Sequence, residues 1–150
     1  MFRTLSLVSI ALVALTLTSA TAAAQDGERI ARACVAVMAN TVDKHEDAVQ
    51  QTTRQTVRTI KSLDSDGARD RVIVAAGARG IKEVEAESRR ASARIANLRE
   101  DCVQALRQLD ADRELIERVN AAARAATQSI SESSDRATQV IRRAVHEAIG

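Results

Sequence analysis

Residues able to do chemistry are few in this chain. There are two histidines, His45 and His146, and two cysteines, Cys34 and Cys102. No His-x-x-x-His pair is present, and two lone cysteines lack the paired spacing of a zinc site, so no metal is expected. Serine and threonine are plentiful, but no Gly-x-Ser-x-Gly elbow occurs, and only two imidazoles are available as bases for a Ser-His-Asp site. Gly77-Ala78-Arg79-Gly80 lacks the length and the lysine of a phosphate loop. Asp64-Ser65-Asp66-Gly67 has the look of part of a calcium loop. Aligning Gly67 with the loop glycine, however, puts Ser62 at the first ligand position and Ile73 where a bidentate glutamate is needed. Carboxylates instead stand four residues before arginines, as in Glu85/Arg89, Glu114/Arg118 and Glu132/Arg136, the spacing of ion pairs on solvated helix faces. The expectation is a protein that is not an enzyme, with no catalytic residue, no cofactor and no small-molecule substrate.

The elements that carry these residues follow from composition. The 150 residues include no Pro, Trp or Tyr and one Phe, with 22 Lys+Arg against 20 Asp+Glu. Scarce aromatics argue against a β-sandwich and remove the stacking platforms of single-strand nucleic-acid binders. Near-neutral charge gives no general case for nucleic-acid binding. Residues 1–24 read as a cleaved signal peptide. Arg3 supplies the positive start, Leu5 to Leu17 the apolar run, and Ala22-Ala23-Ala24 the small-x-small site, with Gln25 as the new N-terminus. Removing those 24 residues, Phe2 and Arg3 among them, leaves 126 residues with net charge +1 and no aromatic. A periplasmic or secreted location is therefore expected.

The remainder, residues 25–150, reads as one helical domain rich in good helix formers. Its strongest break is Leu63-Asp64-Ser65-Asp66-Gly67, and Leu109-Asp110-Ala111-Asp112 repeats the Leu-Asp-x-Asp shape. Apolar or small residues recur at spacings of three and four from Val74 through Gly77, Ile81, Val84, Ala91, Ile95 and Cys102 to Leu109, then from Ile116 through Val119, Ile130 and Val140 to Ala144. A weaker seam runs through Met38, Val42, His45 and Val49. This resembles a heptad pattern. Two all-α architectures fit it. One is an antiparallel up-down-up three-helix bundle of coiled-coil-like helices near 26–63, 68–109 and 112–149, favoured by their matched lengths. The other is a dimeric hairpin with one very long helix over 68–149, favoured by the unbroken heptad phase across 110–112.

The cysteines test the first corner. In an antiparallel hairpin, residues level with each other are equidistant from the turn. The midpoint of Cys34 and Cys102 is residue 68, against a 64–67 break centred near 66, a mismatch that sets the two cysteines about four residues, or roughly 6 Å, apart along the axis and that a modest adjustment of the corner closes. An even cysteine count in an exported chain points to a Cys34–Cys102 disulfide. His45 sits on the first seam, level with about residue 135, and reads as a bundle histidine that His146 does not meet.

Two stretches could contact a partner. Val72-Ile73-Val74-Ala75-Ala76-Gly77-Ala78 is apolar on every helix face, and reads either as core at the bundle end, near Val145 and Ile149, or as an exposed apolar patch with Val72, Ile73, Val74 and Ala76 as the candidate partner residues. Gln50 to Thr59 is a polar Thr/Gln/Arg run able to serve as a contact face. The expected function is that of an exported structural or protein-interaction protein of the bacterial envelope, with a protein partner or self-association. Export and all-helical character are similar to those of small periplasmic helical proteins, envelope chaperones among them. That likeness implies an alternative, an amphipathic lipid- or client-binding protein that meets a membrane surface.

Overall fold

A computed structural model describes residues 20–150, with side chains from Gln25 onward. Of the expected leader, residues 1–19 lie outside the described residues. Three helices follow: α1 (Ala20–Ser65), α2 (Asp70–Gln108) and α3 (Arg113–Ile149), each packed against both others. This is the all-α three-helix bundle, with no strand among the described residues. α2 and α3 start and end within two residues of the expected bounds, whereas α1 begins six residues earlier, in the alanine-rich stretch before Gln25.

Both corners close by the same bonds. At the first, the Ala68 N–H donates to the Leu63 carbonyl and the Gly67 N–H to the Asp64 carbonyl, both at 2.9 Å. At the second, the Ala111 N–H donates to Leu106 at 3.0 Å and the Asp110 N–H to Arg107 at 3.1 Å. Each is a Schellman motif, and in each an alanine packs with a leucine of the last turn against the core. The left-handed residue is Gly67 (φ 68°) in one and Asp110 (φ 47°) in the other. Structurally equivalent leucines are thus Leu63 and Leu106. The repeated Leu-Asp-x-Asp shape, which aligns Leu63 with Leu109, does not superpose.

The buried rows correct the heptad reading. The core rows are Met38, Val49 and Ile60 on α1, Ile73, Val84, Ile95 and Leu106 on α2, and Val119, Ile130 and Ile141 on α3. Every row advances by eleven residues. That is 3.67 residues per turn, which favours straight or slightly right-handed packing over a left-handed supercoil. A 3.5-residue pattern agrees with it in mid-helix and slips at the ends. Val74 and Val140, expected in the seam, are 46% and 49% exposed, and Ile73 and Ile141 take their places. The same period removes the case for a helix continuous over 68–149. Leu106 and Leu115 are both buried nine residues apart, and at about 100° per residue an unbroken helix would turn them about 180° from each other.

The core falls into two clusters. One, near the cysteines, is built on Met38, Ile95, Leu106, Leu115, Val119 and Ile130. The other, near the first corner, is built on Val49, Ile60, Ile73, Val84 and Ile141. Gly77 and Gly80 serve this second cluster. A Cβ on Gly80 would run into the Thr56 side chain and one on Gly77 into Val145, so these glycines let α1 and α3 lie close against α2. Their type signalled a soft spot in the helix; their role is close approach.

Candidate functional site

Between the two clusters lies a belt of buried polar side chains: Thr41, His45, Ser133 and Ser134. The threonine and one serine satisfy themselves on their own helices, Thr41 Oγ1 donating to the Val37 carbonyl (2.9 Å) and Ser133 Oγ to the Ile130 carbonyl (3.0 Å). One polar contact in the belt crosses between helices. His45, 1% exposed on α1, places Nε2 3.3 Å from Ser134 Oγ on α3. Nδ1 of the same ring has no hydrogen-bond partner.

A serine beside an imidazole is the start of a nucleophilic pair, and here the geometry stops there. A Ser-His-Asp arrangement orients the base through a carboxylate on the second ring nitrogen. His45 Nδ1 has none, and both residues are sealed in the bundle. What the arrangement does is join α1 to α3 through one buried polar contact at the level of the belt. Sequence reasoning placed His45 in the bundle and level with residue 135, one residue from its partner. Ser134 itself is not signalled by the sequence, because a spacing of three from Ile130 reaches Ser133 and leaves its neighbour off the seam.

Cys34 and Cys102 stand together at disulfide distance, their Cα atoms 6.3 Å apart, and both are buried. The register read from the midpoint at residue 68 therefore holds. Around them the surface is tied by Arg118 of α3, which donates to both Glu28 oxygens of α1 (2.8 and 3.0 Å), while Arg32 donates to Glu28 at 2.8 Å. Those bonds hold the Glu28 carboxyl below the usual carboxylate range, the Arg32 bond contributing most and the Arg118 bond next. The expected pairs Glu85/Arg89 (3.9 Å) and Glu114/Arg118 (3.8 Å) form. Glu132 instead accepts a bond from Gln128 at 2.8 Å.

The candidate partner patch divides. Ile73 belongs to the core and Ala76 is half-buried against it, whereas Val72 and Val74 are exposed, one on either side of Ile73. The apolar-all-round stretch is thus partly bundle-end core. Val140 and Ile149 on α3 add two further exposed apolar side chains in this half of the bundle. The polar run divides as well: Thr56 is buried against α2, whereas Gln50, Gln51, Arg54, Gln55 and Arg58 are exposed along the outside of α1 and line one depression with Asp47. A second depression follows the α1–α2 groove past Thr52, Thr56, Arg79 and Glu83. Among the described residues, no group of three or more His, Cys, Asp or Glu side chains is placed to hold a metal ion, and no helix is long and apolar enough to cross a membrane. His146 is exposed near the end of α3, far along the bundle from His45.

No family model, no curated protein and no solved structure matches this chain.

Proposed function

We propose that the chain is an exported, non-enzymatic helical protein of the bacterial envelope that works by contact along its bundle faces. The observation that carries this reading is the cysteine pair. Cys34 and Cys102 are 68 residues apart in sequence and stand at disulfide distance, tying α1 to α2. Such a bond persists in oxidising compartments. The leader-like residues 1–24 agree with that destination. Gly27, two residues after Gln25, is buried, and a Cβ there would stand 3.2 Å from Ala111 and Leu115, so α1 packs closely from just inside the expected new N-terminus. Contact rather than catalysis is supported by the burial of the His45–Ser134 pair without an acid beside it.

The test is to express the full chain in a bacterium, recover it from the envelope fraction, sequence its N-terminus and alkylate it without reductant. The expected result is a chain beginning at Gln25 with no alkylatable thiol. A full-length chain in the cytoplasm with two free thiols would overturn the export reading.

A further inference from the structure

The outward face of α1 carries a charge pattern with a symmetry of its own. Along the middle of the exposed side run Asp43, Asp47, Gln50, Gln51, Arg54 and Arg58, flanked by exposed Lys44, Glu46, Gln55 and Lys61. Asp47 through Arg58 line one depression, and Asp43 lies one turn further along. The face shares the eleven-residue period of the core. Asp43 and Arg54 are eleven residues apart, as are Asp47 and Arg58, so the four charges lie in two adjacent rows along the helix. Among the described residues, none of these four charges has an opposite charge within ion-pair distance, although seven such contacts form elsewhere on the bundle.

Reversing the helix about the point between Gln50 and Gln51 exchanges Asp43 with Arg58, Asp47 with Arg54, and Gln50 with Gln51. The face is therefore complementary to itself run backwards. A uniformly anionic partner, such as an acidic lipid surface, would meet repulsion from the aspartate half. A uniformly cationic partner would meet it from the arginine half. A second copy laid antiparallel satisfies both halves at once, and a two-fold axis supplies that geometry without any further specification.

We infer that α1 is the contact surface of an antiparallel homodimer, with its two-fold axis passing between Gln50 and Gln51. Two Asp–Arg pairs per chain give four across the dimer, and the glutamines bond amide to amide at the axis. Being polar and solvent-exposed, the contact is weak and salt-sensitive. Each exposed ion pair changes an equilibrium constant by up to about fivefold and is screened by added salt. This gives the interaction reading above a partner, and rests on that reading only in taking α1 as a contact surface.

The experiment is sedimentation equilibrium of the exported, oxidised chain at about 100 µM, in about 20 mM and about 300 mM salt. Three proteins are compared: wild type, Arg54→Asp/Arg58→Asp and Asp43→Arg/Asp47→Arg. All substituted positions are exposed, and circular dichroism verifies that each variant is folded. The expected result is a wild-type dimer at low salt, weakened at least about tenfold at high salt. Each variant alone is monomeric, and an equimolar mixture of the two variants forms a heterodimer. A wild-type chain that stays monomeric at low salt overturns the inference, whether or not it floats with anionic vesicles. So does a dimer indifferent to the substitutions, or a mixture that fails to associate. None of these outcomes alters the N-terminus or the thiol count, so the export reading stands or falls separately.

Discussion

The two halves of the bundle use the same three helices and hold them by different means. In the cysteine half the core mixes Met38, Leu106 and Leu115 with alanines at 31, 91, 123 and 126, and Cys34–Cys102 together with Glu28–Arg118 ties α1 to both neighbours. In the half near the first corner there is no such tie. Contact there depends on Gly77 and Gly80 bringing the helices close enough for alanines at 137 and 144 to reach the core. A seam made largely of small residues buries little area per residue, at roughly 25 cal/mol per Å². The molecule offsets this by a covalent link at one end and by close approach at the other. The first remedy constrains the unfolded chain; the second stabilises only the folded one.

The largest way to separate the halves is to remove the link. Replacing both cysteines by alanine, or reducing the bond, is expected to cost about 4 kcal/mol by the loop-entropy estimate for a separation of this size. Urea unfolding with and without reductant measures it. A loss far below this would mean that the helices of the cysteine half hold their register without help.

The polar belt between the halves comes next. Ser134→Ala strips His45 of its cross-helix partner and leaves both ring nitrogens unsatisfied in the core, at a cost of about 1–3 kcal/mol. His45→Leu combined with Ser134→Ala removes the whole polar pair, and is expected to return to within about 1 kcal/mol of wild type or above it. If the single and the double substitutions cost the same, the belt is not a hydrogen-bonded unit.

Much of this arrangement is legible in the sequence, and the limit on the rest is geometric. The fold class, the first corner and the cysteine register all follow from counting along helices, which depends on length and turn residues. Core positions in mid-helix, such as Val84, Ile95 and Ile130, were also readable. Those at the ends were not, because a 3.5-residue pattern and a 3.67-residue helix drift apart by about one position over a few turns. This exchanged Val74 for Ile73 and Val140 for Ile141. The glycine notches were invisible for another reason: what a missing Cβ accommodates lies on other helices, at Thr56 and Val145.

Gly80→Ala tests that second half directly. An added Cβ gains about 1 kcal/mol in helix propensity but collides with Thr56, and overpacking costs about 1–3 kcal/mol. A net loss of about 1 kcal/mol is expected in thermal or urea unfolding. In a Thr56→Ala background most of that loss should vanish, so a double-mutant cycle that showed plain additivity would remove the close-approach account. The corners give a smaller, opposed pair. Gly67→Ala places a side chain at φ 68° and should cost about 1 kcal/mol, whereas Asp110→Gly relieves the same conformation at φ 47°. Relief is partly cancelled by the entropy of a glycine in the unfolded chain, leaving a gain of about 0.5 kcal/mol.

The smallest effect lies on the surface of the cysteine half, and pH isolates it. Glu28 is held below its ordinary value first by the hydrogen bond from Arg32 and then by that from Arg118. A carboxyl lowered in the folded state binds fewer protons there than in the unfolded chain. Its contribution to stability is therefore present above the ordinary carboxylate range and is lost as pH falls through its lowered value. Arg32 sits on the same helix as Glu28, so its bond supports α1 alone. Arg118 reaches from α3, ninety residues away, so its bond also joins two helices. Arg118→Ala should lower stability slightly at neutral pH and low salt, with the difference from wild type shrinking both in acid and in high salt, since the pair is at the surface. Urea midpoints measured across that pH range decide it. A deficit that stayed constant into acid would mean that Arg118 acts through its aliphatic packing, and that Cys34–Cys102 is the tie that matters at this end.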